Sequence, residues 1–173
     1  MKAFRYFSII IAILWSFGFS DSLIAMYTIN KIRPMFINAY EKQIKQKVLE
    51  AALCVAAIDG NSFDIRRLLR IGASIEAKDS FGRTPLFILA EYDHLVDVKY
   101  LLKMGANIEA IDNNDETPLY AAAEFDNVNI VETLLESGAC IGVLNHKGQT
   151  PLDVALEARS KRVVKVLQEL ANE

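Results

Sequence analysis

The sequence predicts an all-α solenoid of about four helix-turn-helix repeats with hairpin loops, preceded by an apolar N-terminal helix. Two observations carry the prediction. The tripeptide Thr-Pro-Leu occurs at Thr84-Pro85-Leu86, Thr117-Pro118-Leu119 and Thr150-Pro151-Leu152, each copy 33 residues after the one before. Other columns keep the same phase: Gly72-Ala73, Gly105-Ala106 and Gly138-Ala139, then Leu68, Leu101, Leu134 and Leu167, then Asp79, Asp112 and Asn145. A fixed repeat of this length means that no segment closes a core alone, so each unit buries its apolar face on its neighbours.

In chain order, the first element is Met1 to Arg5, basic, followed by the uncharged run Tyr6 to Phe19. That layout is the one a secretory signal peptide has, with cleavage expected after Ser20, or after Ser22 as a second site. It predicts a signal peptide over 1–20 and an exported protein, periplasmic or secreted. The alternative is an uncleaved anchor over 6–29: if Ser20-Asp21-Ser22 is tolerated, the apolar stretch runs on to Ile29, long enough to span a bilayer. Lys31, Arg33, Lys42 and Lys45 would then keep the repeats in the cytosol. A buried helix is the third reading. Membrane contact is expected only through this front segment.

Residues 21–45 read as a linker and an amphipathic helix. From Met35 to Glu50, Phe36 or Ile37, Tyr40, Ile44 and Val48 share one helical face, expected to pack against the first repeat, with a membrane surface as the alternative. The repeats follow at 46–78, 79–111, 112–144 and 145–173. In each of the last three, threonine reads as the helix N-cap and proline as the first helical residue. Leu86, Leu89 and Ala90 recur at helical spacing, and Ala57, Ala90 and Ala123 are small enough for close helix approach, with Leu156 in that place in the last repeat. The second helix carries Val98, Leu101 and Leu102, repeated as Ile130, Val131, Leu134 and Leu135. It stops at Gly105 or Gly138, where glycine takes the left-handed turn cheaply. The first repeat, with Ala51-Ala52-Leu53 in place of the tripeptide, reads as an N-terminal cap, and the fourth, rich in Lys161, Arg162, Lys165 and Glu169, as a polar C-terminal cap.

The run Asp79 to Ala90, followed by Val98, Leu101-Leu102 and Gly105-Ala106, resembles the ankyrin repeat, and the resemblance covers residues 46–173. The architecture is similar to short bacterial ankyrin-repeat proteins of unknown role. The resemblance implies a non-enzymatic protein-binding module, with a protein partner contacted by hairpin tips and the exposed side of the first helices; an accessory protein of a periplasmic enzyme, which it protects or positions, is an alternative. Its variable positions here are Ser80, Phe81, Arg83, Glu91 and Tyr92, then Asn113, Asn114, Glu116, Glu124 and Phe125, then His146, Lys147, Gln149 and Glu157. Tyr92 and Phe125 are equivalent, so they are expected either side by side in the groove or packed between helices. Glu91, Glu124 and Glu157 form an acidic column suited to a partner with basic side chains. Phe87, Tyr120 and Asp153 stand where the family has histidine, which implies loss of its hydrogen bonds between loops. Asp93, Asp115 and Asp126 stand at glycine positions, at a cost in stability.

Charge divides the chain. Residues 1–45 hold six Lys and Arg against two acids, and residues 46–173 hold thirteen against twenty. An acidic array repels phosphate backbones, so nucleic acid is not expected as a partner. Cys54 and Cys140 lie in different repeats and are expected to be free. Neither His94 nor His146 has a second ligand at metal spacing. No catalytic constellation, phosphate loop or dinucleotide motif is present, so no enzyme activity, metal or cofactor is expected, and the array is expected to be a monomer.

Overall fold

The computed structural model describes residues 33–171, which fall in two units, Met1–Lys47 and Val48–Glu173. The described residues form eight helices and no strand. They are α1 (Arg33–Ile58), α2 (Ser62–Arg70), α3 (Pro85–Glu91), α4 (Leu95–Lys103), α5 (Pro118–Glu124), α6 (Val128–Glu136), α7 (Pro151–Ala158) and α8 (Lys161–Ala171). The signal-peptide and anchor readings of residues 1–29 lie outside the described residues. Among the described residues, no helix is long and apolar enough to cross a membrane.

In the second unit the helices form two rows. The inner helices α3, α5 and α7 pack on one another in order, and the outer helices α4, α6 and α8 do the same behind them. Leu53, Leu86 and Leu119 lie between the rows with Ile65, Val98, Leu101, Ile130 and Leu134, all fully buried. Ala57, Ala90 and Ala123 are also fully buried, and their size sets how near successive inner helices come. Leu156, the fourth residue of that column, is half exposed, because no described helix stacks on it.

The apolar stripe expected to pack against the first repeat is a correction. Ile37, Tyr40, Ile44 and Val48 are all exposed. The reason is helical phase. Leu53 follows Val48 by five residues, about 140° round the helix at 3.6 residues per turn, and it is Leu53, Ala56 and Ala57 that α1 buries.

The three threonines cap differently. Thr84 accepts from the Phe87 N–H at 3.4 Å, whereas Thr150 forms a full capping box with Asp153. In that box Oγ1 accepts from the Asp153 N–H at 3.2 Å, and the Asp153 carboxylate accepts from the Thr150 N–H at 2.8 Å. Those Thr150 bonds, hydroxyl first and then backbone, hold the Asp153 pKa below the ordinary carboxylate value. Thr117 has no such bond, and its buried Oγ1 has no partner among the described residues.

The turn after each inner helix needs left-handed backbone. Gly60 supplies it at φ 63°, Asp93 at 60° and Asp126 at 57°. Arg159 completes the column at φ 62°, and it has neither glycine's freedom nor aspartate's short polar side chain to favour that conformation.

These caps separate two outcomes. Thr150→Ala removes the capping box and should destabilise the protein by about 1 kcal/mol. Thr117→Val replaces a hydroxyl that bonds nothing with a methyl of similar shape, and should leave stability within about 0.5 kcal/mol or raise it. Urea unfolding followed by circular dichroism measures both; equal losses would show that Thr117 caps its helix after all.

Candidate functional site

The groove surface is built on the hairpin tips. At each tip one side-chain oxygen ties the loop. Asp79 Oδ1 accepts from the Phe81 and Arg83 N–H groups, both at 2.9 Å. Asp112 Oδ1 does the same for Asn114 and Glu116, at 2.7 and 3.0 Å, and Asn145 Oδ1 for Lys147 and Gln149, both at 3.0 Å. This is why the column reads Asp, Asp, Asn: each presents an acceptor on a short side chain, three bonds from Cα.

Successive tips are then joined through the backbone. The Asn113 N–H donates to the Phe81 carbonyl and the His146 N–H to the Asn114 carbonyl, each at 3.0 Å. Two side chains reinforce the line. Asn113 Nδ2 donates to the Ser80 carbonyl at 3.3 Å, and His146 Nδ1 lies 2.8 Å from the Asn114 carbonyl, which fixes that nitrogen as the protonated one. His146 is therefore committed to the loop ladder.

Tyr120 corrects the loss of inter-loop bonds implied by the missing histidines. It is buried on α5, and its hydroxyl meets the Val143 carbonyl and, at 2.7 Å, the Gln149 carbonyl of the next hairpin. Phenol reaches across the repeat boundary as imidazole would. Burial, the main cause, pushes its pKa up to about 12, so the hydroxyl stays a donor.

On the open side of the inner helices, Tyr92 and Phe125 are exposed, at 45% and 53%. Each is the C-cap of its helix with nearly the same backbone angles, φ −94° and −93°, so the two side chains leave equivalent positions one repeat apart. They are not packed between helices. Phe81 is exposed as well, with the Arg83 guanidinium 5.0 Å from its ring centre.

The acidic column is less uniform than its sequence. Arg83 pairs with Glu91 at 2.6 Å and with Asp79 at 2.8 Å, so its single positive charge is shared between two carboxylates of its own repeat. Glu116 accepts from Asn145 Nδ2 at 2.9 Å. Glu124 and Glu157 are exposed. Desolvation raises the Glu124 pKa, and the charges of Glu116 and Glu91 raise it further, against a smaller opposing pull from Lys147. The structure thus brings Arg83, Glu91 and Phe81 together at one tip and Glu116, Glu124 and Lys147 within electrostatic range at the next.

A second set of residues, unread as site residues in the sequence, fixes one repeat to another. Side chains just before the outer helices reach back to the end of the first helix of the previous repeat, at Ile58 of α1, Ala90 of α3 and Glu124 of α5. His94 Nε2 lies 3.2 Å from the Ile58 carbonyl, Asn127 Nδ2 donates to the Ala90 carbonyl at 2.8 Å, and Ser160 Oγ donates to the Glu124 carbonyl at 2.8 Å. Asp126 accepts from the Arg162 and Val163 N–H groups, both at 3.1 Å, and pairs with the Arg162 guanidinium at 2.8 Å. Slight burial raises its pKa, but these bonds outweigh that and hold it below the ordinary value.

Both cysteines are free, Cys54 buried and Cys140 exposed. Burial, followed by the charge of Asp79, pushes the Cys54 thiol up to about 11, which leaves it protonated and inert. Among the described residues, no group of three or more His, Cys, Asp and Glu could hold a metal ion.

The carboxylate of Glu124 gives a direct test of the groove's charge. Its titration midpoint, read from the side-chain carboxyl carbon by NMR, should lie above the usual glutamate value, and Glu116→Gln should bring it part of the way down by removing one of the charges that raise it. A midpoint unmoved by Glu116→Gln would mean that the two carboxylates do not sense each other.

An ankyrin-repeat family model matches the chain three times, over residues 29–112, 53–145 and 110–173. No curated protein matches it. The family fold is typically a non-catalytic module for protein–protein interaction. With the repeat period, the paired rows of helices and the laddered tips in agreement, the chain belongs to the ankyrin repeat family.

Proposed function

We propose that the array is a non-enzymatic module that captures a protein through the open side of its inner helices and its hairpin tips, anchored by Tyr92 and Phe125. The observation that carries this reading is the exposure of these two aromatics at equivalent positions one repeat apart. Large exposed aromatics set on a rigid frame make effective anchors because they bury much area and lose little conformational freedom. Glu124 and Glu157 beside them favour a partner that brings Lys or Arg next to an apolar centre. Glu91 is held in place by Arg83 within its own repeat.

The chain acts, in this proposal, after export, with residues 1–20 removed. The basic start and the uncharged run Tyr6 to Phe19 support it. A membrane-anchored cytosolic scaffold is the second reading, favoured by the free Cys140 and by the basic residues after Ile29. Mass spectrometry of the native protein separates the two: export predicts an N-terminus at Asp21 or Leu23, and an intact N-terminal segment in the membrane fraction supports the anchor.

For binding, a photo-crosslinking residue placed at Phe125 should capture the partner, and Tyr92→Ala with Phe125→Ala should weaken capture by about 100-fold or more, the loss of two anchors at about 1.4 kcal/mol or more each. Circular dichroism should show the same helix content in the double variant. A folded double variant with full affinity would move the binding surface away from the groove.

A further inference from the structure

We propose that the outer face of the first two repeats is a docking surface for an anionic phospholipid bilayer, with Arg66, Arg70, Lys99 and Lys103 against the headgroups and Phe63 and Val96 entering the interface. Helix α2 buries Ile65 and Leu68 and leaves Phe63, Arg66, Arg67 and Arg70 exposed. One period later α4 buries Val98 and Leu101 and leaves Val96, Lys99 and Lys103 exposed. The two helices are tied side by side. Ser62 Oγ donates to Asp97 Oδ2 at 2.6 Å, and the Arg66 guanidinium lies 4.9 Å from the Tyr100 ring centre.

The charges on this face are uncompensated. Arg67 pairs with Asp64 at 2.9 Å, and the other acid of the two helices, Asp97, is buried beneath them. Arg66, Arg70, Lys99 and Lys103 have no carboxylate partner among the described residues. Among them stand Phe63, 75% exposed, and Val96, 67% exposed, the two most exposed large hydrophobic side chains of the described part of the array.

Charge complementarity selects the occupant. The array from residue 46 onward is acidic overall, so a uniformly anionic surface is attracted to this face and repelled by the groove, and only one orientation is favourable. A fluid bilayer also suits cations spread over two helices. Each Lys or Arg can keep its charge among the headgroups while its methylene stem and the neighbouring Phe63 reach below them. Docked this way, the inner helices on the other side of each repeat stay open to a partner.

The test uses the uncleaved full chain, whose apolar front segment should bring it to vesicles of either charge, so the difference between vesicles reads this face alone whether or not that segment is later removed. An environment-sensitive fluorophore is placed on Val96→Cys in a Cys140→Ser background; Cys54 is buried and stays unlabelled. On vesicles containing phosphatidylserine the emission should shift to the blue and be quenched by a quencher carried on the acyl chain. On phosphatidylcholine vesicles holding the same amount of protein it should do neither. Combining Arg70→Ala, Lys99→Ala and Lys103→Ala should reduce the docked fraction by roughly tenfold or more at physiological salt. Phe63→Ser should reduce quenching while keeping all the charge. The proposal is overturned if the signal is the same on both kinds of vesicle, if neither variant changes it, or if only added polyglutamate shifts the emission, which would make the occupant an acidic polypeptide.

Discussion

Ala57, Ala90 and Ala123 are fully buried where one inner helix meets the next, and this contact sets the geometry on which every other inter-repeat bond relies. Facing helices approach closely only where the side chain between them is small. At that spacing the backbone of one tip can bond the next, Asn127 can reach the carbonyl of Ala90, and Ser160 that of Glu124. A longer side chain at Ala90 or Ala123 would push two repeats apart and lengthen all of these bonds together. The solenoid is therefore stabilised by a repeated interface whose apolar and polar parts share one dimension.

The polar parts of that interface show what was legible in the sequence. Thr-Pro-Leu, the glycine stops and the leucine columns were legible because each acts within its own repeat and recurs unchanged. The Asp79, Asp112 and Asn145 column was visible as a pattern, but its purpose is clear only once two N–H groups are seen to converge on each side chain. Tyr120 was misread because its partner, the Gln149 carbonyl, lies in the following repeat. A histidine signature predicts one way of bridging that gap, and a phenol that fills it from the same column leaves no local trace. The stripe from Ile37 to Val48 failed for the opposite reason. Its spacing is helical, but the choice of buried face was made by Leu53 and Ala57 farther along the same helix.

The candidate groove was legible by position and not by energetics. The repeat period placed Tyr92 with Phe125 and Glu91 with Glu124 and Glu157, since equivalent positions must line up in a solenoid. Spacing could not reveal that Arg83 pairs with Glu91, because the two lie eight residues apart, just before the start and at the end of α3. That pairing leaves the acidic column unequal from one repeat to the next. At Glu124 desolvation, and after it the field of neighbouring carboxylates, raises the pKa, so a cationic group brought there relieves a cost that an isolated surface glutamate does not carry.

The same argument applies to the molecule's two sides. Glu116 and Glu124 on the inner side and Arg66, Arg70, Lys99 and Lys103 on the outer side belong to one rigid set of repeats, so their charges do not average out at close range. At physiological ionic strength the screening length is about 8 Å, comparable with the distance of about 8 to 10 Å between packed helices. A cationic partner at the groove and an anionic surface at the outer helices would therefore each respond mainly to the row of helices nearest to it. Small buried residues thus hold the carboxylates of Glu116 and Glu124 and the cations of α2 and α4 on separate rows of a single array.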